Sequence, residues 1–212
     1  MVATIQAREI TFPELETIFY LDEVDEDQFF REWQDDLPEV TDGEKQILDK
    51  VKEGYFNLLR HPPMLENAVK MAVVSPLLLL ADLFLPPFQF QAEKSVKLVS
   101  EDEGTIIEGR IDVLVLQNDF WVTVIESKKA SYSVEVGIPQ LLAYMLANPN
   151  PSRPCYGMVS NGGYFLFLKL VHGQRPKYAI SNPFDLRKKN GNDLYRVVSI
   201  LKRLGELAKA IS

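Results

Sequence analysis

Apolar side chains along this chain change their spacing twice, and the changes separate helical from extended regions. Between residues 41 and 60, Ile47, Leu48, Val51, Tyr55, Leu58 and Leu59 recur at the three- and four-residue intervals of one helix face. Thr41-Asp42-Gly43-Glu44 precedes them with capping-box spacing, in which a hydroxyl and a carboxylate each serve the other residue's backbone N–H. Asp25-Glu26-Asp27 stands before the shorter patterned stretch Gln28 to Trp33, where carboxylates favour a helix N-terminus, so residues 13–60 read as helices. Pro62-Pro63 breaks the chain, and a long helix is expected from about Met64 to Phe84, bent or interrupted near Pro76.

After Pro86-Pro87 the period becomes two. Ser95 to Val99 alternates, and Thr105 to Leu116 and Phe120 to Ile125 are rich in β-branched residues, with Gln117-Asn118-Asp119 between them as a hairpin turn. Leu141 to Leu146 reads as a compact apolar helix closed by Asn148-Pro149-Asn150-Pro151. Pro154 to Val159 and Tyr164 to Leu170 read as strands joined by the turn Ser160-Asn161-Gly162-Gly163, and Val197 to Ile211 as an amphipathic final helix. This order predicts an α/β protein with a central sheet between helices.

Composition narrows the class. The chain has 212 residues, 46% hydrophobic and 25% charged, which excludes wholesale disorder and fibrous repeats. One cysteine, Cys155, excludes a disulfide scaffold and a cysteine-based zinc cage and fits a reducing cytoplasm. Met1 to Glu9 lacks the apolar stretch of a signal peptide, and the run from Met71 to Phe84 is broken by Ser75-Pro76 and Asp82. A membrane span needs about 18 or more consecutive apolar residues, so the expectation is a buried helix, a cytoplasmic protein and no membrane partner.

The net charge of −7 argues by itself against a nucleic-acid partner. Its distribution reverses that argument. Residues 1–60 carry 6 basic and 16 acidic side chains, residues 61–125 carry 4 and 9, and residues 126–212 carry 13 and 5, which gives −10, −5 and +8. The first 60 residues read as an acidic helical extension and 61–212 as the main domain, of which the basic part, from Glu126 on, would meet a phosphate backbone.

Two expected strands each carry charge inside an apolar run: Asp112 within Gly109 to Leu116, and Glu126 and Lys128 at the end of Val122 to Lys129. Isolated charges are rarely buried unless paired or bound to a metal. Glu126 and Lys128 are two residues apart on one strand and share a face. A hairpin through residues 117–119 would bring Asp112 to Glu126. Two close carboxylates repel, and a hard cation such as Mg²⁺, with Mn²⁺ as a substitute, relieves that repulsion, with the Ser127 carbonyl as a further ligand. Gln140 and Tyr144 share one face of the next helix, and Glu66 opens the long upstream helix as a third candidate carboxylate. An exposed Glu-x-Lys ion pair, or an aspartate in a strand, is by itself usually unremarkable surface chemistry. The two together, followed by Gln-x-x-x-Tyr on the following helix, form a narrower pattern.

Other residues have plainer readings. His61 and His172 are far apart and unlinked, Lys129 points away from Lys128, and Arg187-Lys188-Lys189 reads as a solvated loop. Trp33 and Trp121 read as core aromatics. No nucleotide-binding G-x-x-x-x-G-K-[ST] loop occurs in the chain.

The set Asp112, Glu126-Ser127-Lys128, Gln140 and Tyr144, with Glu66 and Ser75-Pro76-Leu77-Leu78 upstream, resembles the PD-(D/E)XK nuclease superfamily. Within it, the stretch 62–170 is most similar to the N-terminal endonuclease domain of type I restriction enzyme R subunits and their small stand-alone relatives. One departure is Ile111, where the motif has proline. The resemblance implies a restriction-endonuclease-like core with a mixed four- to five-stranded sheet flanked by helices. It implies Asp112 and Glu126 as metal ligands, Lys128 as the catalytic lysine, and Gln140 and Tyr144 as the Gln-x-x-x-Tyr element. It also implies Mg²⁺-dependent hydrolysis of DNA phosphodiester bonds, with a homodimer or a larger restriction-type assembly for double-strand cutting. The alternatives are a DNA-binding or regulatory module that keeps the fold but depends on a partner, and a structural scaffold, which leaves the charges in apolar strands unexplained.

Overall fold

The computed structural model describes residues 4–100, 104–118 and 120–210, with Phe120 described in its backbone only. Met1 to Ala3 in the leader reading, Asp119 in the expected turn and Ile211 at the expected helix end lie outside the described residues.

The order of elements is β1 (Thr4–Gln6), α1 (Phe12–Phe19), β2 (Asp22–Glu23), α2 (Asp42–Leu59), α3 (Glu66–Val69), α4 (Ser75–Leu80), β3 (Gln89–Val99), β4 (Ile106–Gln117), β5 (Phe120–Ser127), α5 (Ile138–Leu146), β6 (Cys155–Ser160), β7 (Tyr164–Val171), β8 (Lys177–Ile180), β9 (Phe184–Asp185) and α6 (Leu194–Ala210). The strands form one mixed sheet in the order β1-β4-β5-β6-β7-β8-β2, with β3 on β4 and β9 on β7. β1–β4, β5–β6 and β2–β8 are parallel pairs, and the others are antiparallel.

The sheet has nine strands among the described residues, not the expected four to five. Part of the difference is at the N-terminus: β1 and β2 are too short to show a period, and each pairs with a strand distant in sequence. Thr4–Gln6 and Asp22–Glu23 pair into the sheet, and Leu48, Val51 and Tyr55 of α2 lie in the same apolar layer as Leu77, Leu78, Val197 and Leu201. The acidic segment and the basic one form one packed unit. A second difference is β3, which pairs with β4 from Gln89 onward; its first half is exposed and so carries no alternating signal.

Thr41 does cap α2, its hydroxyl accepting the Glu44 N–H while the Glu44 carboxylate accepts the Thr41 N–H. Residues 28–33, expected as helix, form turns. The Phe29 carbonyl accepts a hydrogen bond from Lys169 Nζ at 2.7 Å, and Phe30 is buried against Tyr156, so tertiary partners replace helical ones. Across Glu66–Leu80 the helix is interrupted by a π turn at Lys70–Val74, in which Ser75 N–H reaches back to the Lys70 carbonyl just before Pro76. Asp82, at φ +59°, ends the run.

Two apolar layers sandwich the sheet. α2, α4 and α6 cover one face, meeting Val113, Val115, Val122, Phe165 and Phe167. α1 and α5 cover the other, meeting Ile111, Leu114, Trp121, Val124, Val159 and Leu168. Ile111 and Val113 share parity yet face opposite layers, so the alternation of β4 breaks at Asp112. On β3 the pairing runs from Ala92–Val113 to Lys94–Ile111, and the skipped Glu93 has φ +52°. The irregularity in both strands falls at the residue of greatest chemical interest.

Candidate active site

β3 occupies one edge of β4 along its whole length, so β1 and β5 share the other. β1 pairs with Ile106–Glu108 and β5 pairs from Val113 onward. Residues 109–112 therefore have no strand partner on that side, and the sequence-predicted side chains gather there. Beyond Ile125, β5 leaves β4 and follows β6, pairing Glu126 with Val159 and Ser127 with Ser160, and Lys128 N–H continues to the Ser160 carbonyl at 2.7 Å.

Side chains satisfy the backbone groups that the separation leaves open. Asp112 Oδ2 accepts the Ser127 N–H at 2.7 Å, and Tyr144 donates its hydroxyl to the Arg110 carbonyl at 3.0 Å. Gln140 Nε2 donates to the Tyr144 oxygen at 2.8 Å, one helical turn along α5. Lys128 Nζ donates to Gln140 Oε1 at 2.6 Å and to Glu126 Oε1 at 2.8 Å. Arg110 O, Tyr144, Gln140, Lys128 and Glu126 thus form one continuous chain of hydrogen bonds, buried except at its backbone end.

Burial sets the electrostatics. Glu126 is pushed up to about 8, first by loss of solvent and then by the Asp112 charge; Lys128 pulls it down, and Glu66 adds a smaller push. Burial also raises Tyr144 to about 12, so its phenol stays a protonated donor. Glu126 Oε2 and Ser127 Oγ are buried without a hydrogen-bond partner. An unpaired buried carboxylate oxygen is costly unless something charged completes it.

The fold brings Asp112, Glu126, Ser127, Lys128, Gln140 and Tyr144 together, with half-buried Glu66 close enough for its charge to act on Glu126. Three participants were not anticipated. Lys70 Nζ lies 3.0 Å from Asp112 Oδ1; its position four residues after Glu66 was the available signal. A Cβ on Gly109 would lie 2.7 Å from Tyr144 Cε1 and 2.6 Å from Ala7 Cβ, and one on Gly137 would lie 2.9 Å from Lys128 Cε. Each glycine leaves room for a site side chain, and for Gly109 its place inside β4 is the sign of such a close approach.

The residues with plainer readings lie elsewhere. His61 bonds the Asn57 carbonyl, and His172 the Leu146 carbonyl. Lys129 lies over the Tyr132 ring, Arg187 over Tyr164, and Lys188 pairs with Asp193. Among the described residues no group of three His, Cys, Asp or Glu side chains is placed to hold a metal ion, and no helix is long and apolar enough to cross a membrane.

No family model matches this chain, and no curated protein does. Among solved structures it is similar to a fragment of a protein assigned as an HsdR subunit of a type I restriction enzyme from Vibrio vulnificus, with 20% identity and a TM-score of 0.36. That likeness covers 48% of this chain and 20% of the other. At this score it carries no weight for the fold, and the functional reading rests on the site itself.

Proposed function

We propose that this protein is a metal-dependent DNA endonuclease of restriction or DNA-defence type, built on a PD-(D/E)XK restriction-endonuclease-like core formed by β4, β5 and α5. The observation that carries the reading is the buried chain from Tyr144 through Gln140 and Lys128 to Glu126, meeting Asp112 where β4 and β5 separate.

A hard divalent cation fits the donors present. Glu126 Oε2 is a buried oxygen without a hydrogen-bond partner, and the Asp112 charge acts on the same carboxyl group. Mg²⁺ takes one or two protein carboxylates and keeps several waters, so it does not require a third acidic side chain. Asp112, Glu126 and the Ser127 carbonyl would hold Mg²⁺, or Mn²⁺ in its place. When bound, such an ion acidifies water and shields charge developing on phosphorus.

The remaining chemistry belongs to the chain. Lys128 has three N–H donors; Glu126 and Gln140 take two, which leaves one for a phosphate oxygen or the attacking water. Gln140 and Tyr144 are positioning residues that tie the ammonium direction to the β4 backbone through Arg110. Glu66 adds negative charge that favours a cation at the site. One such site per chain cuts one strand at a time, so double-strand cleavage calls for a second copy or a larger restriction-type assembly.

The test is incubation of the purified protein with supercoiled, linear and single-stranded DNA in Mg²⁺ or Mn²⁺. Cleavage is expected, and Lys128→Ala and Asp112→Asn should abolish it. Absence of cleavage in every DNA form, or equal cleavage by Lys128→Ala, refutes the enzyme reading. Salt-sensitive binding without cleavage would favour the partner-dependent DNA-binding module instead.

A further inference from the structure

Asp112 has two carboxylate oxygens, and the protein uses them differently. Oδ2 accepts the Ser127 N–H at 2.7 Å, a bond that holds the end of β5 beside β4. Oδ1 faces Lys70, whose ammonium stands 3.0 Å away across 42 residues of sequence. The two side chains are only 18% and 17% exposed, so water shields the pair incompletely. Lys70 is the first residue of the π turn, between fully buried Val69 and the buried pair Val73 and Val74, so the packing of this helix fixes where the lysine stem emerges. The same site holds the second ammonium, Lys128, which is already committed to Glu126 and Gln140.

We infer that Lys70 is an internal cation that closes the metal site: its ammonium occupies Asp112 Oδ1 and has to move away before a divalent ion is held there. The inference rests on the reading of Asp112 and Glu126 as metal ligands. The physical case is competition for one oxygen. A bound Mg²⁺ or Mn²⁺ sits about 2.0–2.1 Å from its carboxylate oxygen. An ammonium 3.0 Å from the same oxygen repels that ion whichever lone pair the ion takes. Without the ion, Lys70 offsets the repulsion among Asp112, Glu126 and Glu66 that already raises Glu126. Lysine suits this exchange, since its charge is a point on a flexible four-carbon stem and not a planar fork locked onto a carboxylate. Lys70 therefore stabilises the metal-free protein and weakens its hold on metal, two effects of one contact.

The experiment is calorimetric titration of the full chain with MnCl₂, without nucleic acid and at low ionic strength. The proteins are wild type, Lys70→Met, Lys70→Gln, Lys70→Arg, and Asp112→Asn alone and in the Lys70→Met background. Removing the charge should tighten Mn²⁺ binding by about tenfold or more, since a positive charge within a few ångströms is only partly screened at this exposure. Lys70→Arg keeps the charge and should stay near wild type, and Asp112→Asn should abolish binding in either background. Melting temperatures give a second readout. Lys70→Met should melt below wild type in EDTA and gain more from Mn²⁺, and Lys70→Gln repeats the measurement should the methionine variant fold poorly. If wild type binds Mn²⁺ through Asp112 while Lys70→Met and Lys70→Gln bind no tighter, Lys70 is not a competitor, and the metal reading stands without it. If no variant shows Asp112-dependent Mn²⁺ binding, the metal reading itself fails, and the role of Lys70 falls with it.

Discussion

Glu126 makes the stability of this protein depend on pH in a direction opposite to that of most carboxylates. In the fold it titrates near 8 in place of its ordinary 4.5, because burial and the Asp112 charge outweigh the help from Lys128. Between those two values the folded chain binds more protons than the unfolded chain. The contribution of this group is therefore fully present below about pH 4.5 and is lost as pH rises through about 8. Each pH unit within the window changes the folding equilibrium by up to a factor of ten, so the whole span is worth at most about 5 kcal/mol. The Asp112 and Lys128 charges both act on Glu126, so the observed curve should be shallower than that of an isolated group. The perturbation is Glu126→Gln, which imitates the protonated carboxyl. Like the protonated carboxyl, the amide leaves Lys128 without an anionic partner on Glu126. Urea unfolding from pH 5 to 8.5 in EDTA should show wild type losing stability steadily relative to Glu126→Gln. Parallel curves across that range would falsify the assignment of a buried, proton-holding Glu126.

The remaining predictions concern packing, a half-buried ion pair and DNA. Gly109→Ala places a methyl group 2.7 Å from Tyr144 Cε1, and overpacking of this kind costs about 1–3 kcal/mol in denaturant unfolding; an unchanged midpoint would show that the ring is not seated as described. Lys169→Met removes a cation 2.6 Å from Glu32 Oε1, to which Tyr156 also donates. Leaving that half-buried carboxylate with Tyr156 as its remaining partner should cost about 1–3 kcal/mol, and adding Glu32→Gln should restore part of the loss. DNA binding measured by anisotropy in EDTA should weaken steeply with salt, a slope near zero being incompatible with contact between the +8 segment and phosphates.

Several features of this protein are local enough to be read from the chain. The α2 face repeats at helical intervals, its capping box closes as spaced, and the strands around residues 106–127 and 155–171 show as β-branched or apolar runs because most of their positions are buried. The candidate site was legible for the same reason: a charge placed inside such a run has to be satisfied by something, and the spacing of Asp112, Glu126, Lys128, Gln140 and Tyr144 indicated by what. Tertiary structure alone decided the rest. β1 and β2 exist only because β4 and β8 offer edges to short segments with no period of their own. The turns at residues 28–33 prevail over a helical pattern because Lys169, far along the chain, takes the Phe29 carbonyl. Lys70 reaches Asp112 through a π turn whose extra residue no periodicity announces, and Gly109 and Gly137 matter for the atoms they lack. Periodicity records which face of an element is buried. Which distant groups meet across an open strand edge depends on the separation of β4 from β5, and that is a property of the assembled sheet.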